Sequence, residues 1–320
     1  MKAVMDIIFL DSDTISLNQD IDFKPLREQG NLKLFSISNQ DNPADYVRDA
    51  EVIITNKIVI NADTIRRLEA LKLICVIATG YNNVDTSAAK KYNKLVANVP
   101  GYAQHSVSQH TFALILNLAT SCCRYAGDVN GGLWQKSRTF NMLSYPGFEL
   151  YGKTIGIIGF GTIGRAVAGI AEGFGMKVLA HDVGDISDTG YSNTEFEQLI
   201  KESDIISLHC PLTDKTRDLI SAREFGMMKN TAIIINTARG GIINEQDLAS
   251  ALKQGQISGA GIDVLGQEPP KDRISLLRES SNIMVTPHCA WSARETRQRL
   301  VDITSKNIQA FRQGHPVNLV

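Results

Sequence analysis

Arg239, Glu268 and His288 each stand just behind a short apolar run: Ala232 to Asn236, Ser258 to Val264, and Asn282 to Thr286. Those three residue types suit one chemistry. A guanidinium is planar and always charged, and it grips a carboxylate and a neighbouring carbonyl with parallel donors that an ammonium cannot reproduce. An imidazole, with a reference pKa of about 6.5, exchanges protons near neutral pH. A carboxylate beside such a ring fixes its tautomer and favours the protonated form. Together they fit the interconversion of a carbonyl and an alcohol next to a carboxylate. His288 would be the proton donor and acceptor, Glu268 its partner and Arg239 the substrate grip.

Carbonyl reduction needs a hydride source, and residues 154–164 point to one. Thr154 to Ile158 has the composition of a buried parallel strand. It runs into Gly159, Gly161 and Gly164, spaced G-x-G-x-x-G, and Ile163, Val167 and Ile170 continue at helical spacing. The first glycine makes a tight turn, the second lets backbone approach a pyrophosphate, and the third lets helix and strand pack closely. Unpaired N–H groups at the helix start then face the anion. Met176 to Ala180 is a second strand, and Asp182 follows it at the place where an acid accepts hydrogen bonds from an adenosine ribose. No Lys or Arg occurs from Asp182 to Gly190, so NAD is expected rather than NADP.

The elements that must carry these residues alternate between strand and helix, which implies parallel sheets and an α/β fold. Before about residue 100, strands are expected at Ile7 to Leu10, Leu32 to Ile37, Glu51 to Thr55 and Leu73 to Ala78. A helix capped by Asn61 or Asp63 is expected to run to Leu71. Ligands of parallel sheets lie beyond the strand C-termini. That singles out two turns, Thr55-Asn56-Lys57 and Thr79 to Asp85. The second offers Gly80 and free backbone N–H groups to a substrate carboxylate, or is a plain polar loop. Lys57, Thr79, Gly80 and Tyr81 are therefore the candidate substrate contacts beside Arg239. One helix from Ser106 to about Tyr125 links the two halves, and His105 and His110 at its start have the look of ordinary surface or hinge histidines.

Further along, Asp204 to His209 is a strand ending in Cys210 and Pro211 at the cofactor crevice. Cys210 can touch the adenosine side through its backbone, but no local base activates it as a nucleophile. Thr237 and Ala238 precede Arg239 on the same edge. Asn244 caps a helix that Gly255 ends. Asp263 lies inside an apolar strand, where burial is costly without a partner, and the nicotinamide carboxamide is a plausible one.

At 320 residues the chain has room for two domains with real cores. A formal net charge of −1 argues against a nucleic-acid scaffold or a basic membrane surface. The longest apolar run, Phe112 to Ala119, is interrupted by Asn117 and is too short to span a bilayer. No signal-peptide core precedes the first strand, and the five cysteines include no C-x-x-C pair, so a cytoplasmic protein with reduced thiols is expected. There is no zinc spacing, P-loop, G-x-S-x-G or H-E-x-x-H, and no metal is expected.

The ordered segments Gly152 to Gly164, Asp204 to Leu212, Asn236 to Gly240, Gly259 to Val264 and Thr286 to Trp291 resemble the D-isomer-specific 2-hydroxyacid dehydrogenase family over nearly the whole chain. The resemblance implies two doubly wound parallel-sheet domains: a Rossmann NAD-binding domain, 102–290, inserted in a flavodoxin-like substrate domain, 1–101 and 291–320. It implies Arg239, Glu268 and His288 as the catalytic set, and NAD near Thr162, Ile163, Asp182, Cys210, Thr237, Ala238 and Asp263. It also implies a homodimer with the region after Pro100 at the interface. Thr55 to Lys57, Asn98 to Tyr102 and Ser106 to Ala113 are similar to the branch acting on glycerate and hydroxypyruvate, with glyoxylate second. D-lactate or 3-phosphoglycerate is the neighbouring alternative; many phosphoglycerate enzymes add a regulatory domain for which no room follows Val320. A non-catalytic NAD-sensing regulator is the alternative from another class, and the lack of a basic DNA-facing patch weighs against it.

Overall fold

The computed structural model describes residues 4–37, 43, 47–271 and 282–320. The chain forms two compact units, Met1–Ala103 with Ser292–Val320, and Gln104–Trp291. Both are built on wholly parallel sheets covered by helices, the two-domain α/β arrangement expected from the alternating pattern.

The first unit holds strands β1 (Asp6–Phe9), β2 (Asn31–Leu34), β3 (Val52–Thr55), β4 (Leu73–Val76) and β5 (Leu95–Ala97), in the order β2-β1-β3-β4-β5. Chain order reverses between β1 and β3, so a crevice opens there beyond the strand ends. β3 and β4 are buried at every position, which is why their sequences are continuous apolar runs without alternation. Asn61, not Asp63, caps the helix Ala62–Arg67, accepting from the Thr64 N–H, and that helix ends four residues before Leu71. β5 is too short to stand out in sequence, and it is held from both sides. β4 pairs with it on one edge, and the C-terminal tail covers the other through an antiparallel bridge between Ala97 and Leu319. The helix Arg294–Arg312 completes the unit; its Arg297 guanidinium, almost fully buried, binds both Asp20 carboxylate oxygens and the Ile15 carbonyl.

The second unit holds β6 (Thr154–Ile158), β7 (Lys177–His181), β8 (Ile205–Leu208), β9 (Ile233–Asn236), β10 (Gly259–Ile262) and β11 (Ile283–Val285). Their order is β7-β6-β8-β9-β10-β11, with the switch point between β6 and β8. The helix Gln104–Thr120 buries Phe112, Leu114, Ile115 and Leu118 in the core that also takes Ile155, Ile157 and Val167. The single linking helix expected to reach Tyr125 is two helices. Ser121 adopts a left-handed conformation (φ 54°), and a second helix, Cys122–Asn130, departs from it. Asn117 stabilises the break, because its side-chain amide oxygen accepts from the Cys123 N–H. Among the described residues, no helix is long and apolar enough to cross a membrane.

Candidate active site

At the end of β6 the three glycines have separate physical reasons. Gly159 has φ +91°, and a Cβ there would fall on the backbone of His209 and Cys210 at the end of β8. A Cβ on Gly164 would fall on the Gly159 carbonyl, so helix and strand meet there without room for a side chain. A Cβ on Gly161 would meet nothing, leaving open space over the start of the helix Thr162–Gly173. An open backbone face at a twelve-residue helix N-terminus is what a pyrophosphate requires, so the residues present fit a dinucleotide.

Asp182 follows β7 and braces the same loop. One carboxylate oxygen accepts from the Phe160 N–H at 2.6 Å, and the other from the Gly184 N–H at 3.0 Å. A carboxylate has about four acceptor positions, which leaves capacity for a ribose hydroxyl. Cys210, opposite Gly159, has its thiol pushed by burial to about 11, which agrees with its dismissal as a nucleophile. Neighbouring His209 is driven by burial to about 4 and bonded to Ser207, so it is no rival acid–base group at neutral pH.

The other end of the sheet edge carries the charged residues. Glu268 and His288 are brought together: Nδ1 of the ring lies 2.6 Å from Oε2. The second carboxylate oxygen accepts from the Leu265 N–H at 2.7 Å, so both oxygens are oriented. Burial works to raise the Glu268 carboxyl, but the His288 ring and the Leu265 N–H together hold it below its ordinary value. Glu268 accepts at Nδ1, so that nitrogen carries a proton and Nε2 is the nitrogen left for chemistry. His288 itself has φ 51°, a left-handed backbone uncommon outside glycine and a mark of local constraint.

Arg239 is exposed and donates to the Ala238 carbonyl. Its loop is shaped by Asn236, unremarked in sequence, whose buried side chain accepts from the Ala238 N–H and donates to the Arg239 carbonyl. Gly240 lies so close to Leu265 and Gly266 that a Cβ would overlap their backbone, which ties this loop to the turn that orients Glu268. Thr237 is buried and its hydroxyl is paired with that of Thr111.

Asp263 is almost fully buried, and the chain itself supplies partners of the kind that its burial was expected to demand. Its oxygens accept from the Thr286 hydroxyl at 2.5 Å and the Cys289 and Ala290 N–H groups at 3.0 Å, with His110 at 3.4 Å. Burial would raise this carboxyl, and those donors outweigh it and lower it. His110 is correspondingly no ordinary surface histidine, since its Nε2 lies 3.0 Å from the Thr286 hydroxyl.

In the first unit, one of the two expected ligand turns is spoken for. Asp11, fully buried just after β1, accepts from the N–H groups of Asn56, Lys57 and Ile58 at 2.6–3.1 Å. It fills the β1/β3 crevice with the chain's own carboxylate, so the Asn56 and Lys57 N–H groups are already bonded within the chain. An acid directly behind the first strand was the available signal. The second turn differs. Thr79 gives its hydroxyl to the Val99 carbonyl, but the Gly80 and Tyr81 N–H groups have no internal acceptor among the described residues.

A glycine cradle and an acid–base pair along one parallel sheet edge define a dinucleotide-dependent oxidoreductase. Residues 112–290 match the model of the D-isomer specific 2-hydroxyacid dehydrogenase, NAD binding domain. The chain is 43% identical over 275 residues to a glycerate dehydrogenase of Methylorubrum extorquens, covering 86% of each protein. It is 36% identical over 322 residues to a hydroxypyruvate reductase of Blautia hydrogenotrophica, covering 99% of each. In structure it is similar to a D-lactate dehydrogenase from Aquifex aeolicus complexed with NAD and lactic acid, at a TM-score of 0.80, 29% identity and coverage of 97% and 96%. The chain belongs to the D-isomer specific 2-hydroxyacid dehydrogenase family. It is an oxidoreductase of 2-hydroxy acids whose cofactor is NAD.

Proposed function

We propose that this enzyme reduces hydroxypyruvate to D-glycerate with NADH, with glyoxylate as a second substrate. The observation that carries the reading is the 2.6 Å pair of His288 and Glu268 on the sheet edge that also bears the glycine cradle. The names of the relatives at 43% and 36% identity support the choice of substrate. NADH supplies the hydride. The chain's own residues do the rest. Arg239 grips the carboxylate with the part of its fork not bonded to Ala238. His288 gives its Nε2 proton to the nascent alkoxide oxygen while Glu268 holds Nδ1. Asp182 receives a ribose hydroxyl and discriminates against a 2′-phosphate, and the Thr237, Ala238 and Cys210 backbone lines the cofactor. Lys57 and the Thr79, Gly80 and Tyr81 turn are assigned to substrate binding, with the free Gly80 and Tyr81 N–H groups as the carboxylate donors.

The same reading places the enzyme in the cytoplasm as a homodimer. Trp134, Phe140 and Leu143, beyond the second linking helix, are 50%, 90% and 89% exposed, an apolar set that a second copy would cover. The deciding experiment follows NADH consumption by the purified protein with hydroxypyruvate, glyoxylate, pyruvate and phosphohydroxypyruvate, then repeats it with NADPH. Fastest turnover of hydroxypyruvate with NADH is expected. Preference for phosphohydroxypyruvate or pyruvate would overturn the substrate, and no turnover of any keto acid would overturn catalysis itself. Light scattering of the same sample tests the dimer.

A further inference from the structure

The loop that carries His288 is held by one buried carboxylate, and His110 reaches that carboxylate from a different element. The His288 N–H donates to the Asp263 carbonyl at 2.8 Å. The next two N–H groups, of Cys289 and Ala290, donate to the two Asp263 carboxylate oxygens. Three consecutive residues of the loop are thus pinned to Asp263, and the first of them has the left-handed backbone.

The direction of the remaining bonds follows from donor counting. A hydroxyl has one proton and about two lone pairs. Thr286 lies 2.5 Å from Asp263 Oδ1, an oxygen that only accepts, so the hydroxyl proton is committed there. Its lone pair is what faces His110 at 3.0 Å, so His110 is the donor and carries a proton on Nε2. The order is His110 Nε2–H to Thr286 Oγ, then Thr286 O–H to Asp263, with the His288 loop on the far side of that carboxylate.

His110, Asp263 and Cys289 also place an imidazole, a carboxylate and a thiol within 4.8 Å of one another. Chemistry argues against a cation there. Burial first, then the Asp263 charge, pushes the Cys289 thiol up, and Asp263 already accepts protein donors on both oxygens. The cluster is an internally satisfied network, and its product is the placement of one loop.

We propose that His110 is a positioning residue for proton transfer. Through Thr286 and Asp263 it holds the loop that aims His288. The inference rests on His288 acting as the proton donor. It adds a residue on the helix Gln104–Thr120, and His110 acts on that loop through Thr286 and Asp263.

Three variants test it. His110→Phe keeps a ring and removes the donor; His110→Gln restores an N–H at a similar reach. Thr286→Val cuts the same link should His110→Phe fail to fold. Hydrogen–deuterium exchange over Met284 to Trp291 should speed up in His110→Phe and in Thr286→Val, and return toward wild type in His110→Gln. With keto acid, His110→Phe should lose about ten- to a hundredfold in kcat while NADH affinity stays within about twofold, because a displaced acid costs rate without costing cofactor contacts. The isotope effect from deuterated NADH should rise as the chemical step becomes limiting. Unchanged exchange in that peptide overturns the proposal whether or not the protein is active. Wild-type kcat in His110→Phe, or NADH binding lost in step with turnover, overturns it as well. Absence of turnover in the wild type would instead count against the proposed function, and the exchange arm would still decide this one.

Discussion

Replacing Glu268 by Gln changes almost nothing in size and removes one acceptor. Both Glu268 oxygens now face N–H donors, Leu265 at 2.7 Å and His288 Nδ1 at 2.6 Å. A glutamine has one oxygen and one NH₂, so one of those contacts becomes donor against donor. If the amide oxygen stays with Leu265, the ring must turn a lone pair toward the NH₂ and move its proton to Nε2. It then has no basic nitrogen to accept a proton, and as a donor it would leave an anionic ring. If the oxygen turns to the ring instead, the Leu265 N–H is orphaned. A hydrogen bond to a charged group contributes about 1.5–3 kcal/mol, and an orphaned buried donor costs about 1–3 kcal/mol. The side chains of His288 and Glu268 are 35% and 34% exposed, so solvent screening favours the low end of both. The low ends add to about 2.5 kcal/mol, or about sixtyfold in kcat at about 1.4 kcal/mol per decade. Steady-state NADH oxidation with the preferred keto acid reads kcat, and fluorescence titration reads NADH affinity, which should not change. A kcat within about threefold of wild type would refute the claim that Glu268 sets the state of the ring.

Three further outcomes are expected. Gly159→Ala forces a side chain into φ +91° against the Cys210 backbone, and should lose at least about 2 kcal/mol of stability together with NADH binding; a melting temperature within error of wild type would contradict the geometry. Asp182→Ala should weaken NADH and narrow its advantage over NADPH, since both the ribose acceptor and the brace on Phe160 are lost; unchanged selectivity in paired titrations would move the discrimination elsewhere. Asp20 is held at about 2, against an ordinary 3.8, first by its hydrogen bonds from Arg297. A depressed carboxyl stabilises the fold fully above its unfolded value and loses that contribution as pH falls through the folded one. The melting-temperature gap between wild type and Asp20→Asn should therefore be widest above pH 3.8 and shrink toward pH 2; a gap that stays constant over that window would show that the ion pair does not govern acid stability.

Sequence alone was enough wherever a local pattern had one physical explanation. Thr154 to Ile158 is apolar because it is covered on both faces, and the glycines behind it are glycines because no Cβ fits at 159 or 164. The common edge of Arg239, Glu268 and His288 was legible because each follows a strand, and parallel strands present their C-terminal ends to one edge. What the tertiary structure decided is who satisfies whom. Strand order is set by crossovers between distant segments, which no single run of residues encodes, and so the β1/β3 crevice that Asp11 closes was invisible. The turn at Lys57 invited a ligand in sequence; in the fold its N–H groups already bind a carboxylate 46 positions away. Asp263 looked short of a partner because its donors, Thr286, Cys289 and Ala290, arrive from the next strand and loop, and His110 from a helix over 150 residues earlier in the chain. Hydrogen bonds need distance and angle, and in a chain this long the residues that meet those terms are neighbours in space long before they are neighbours in sequence.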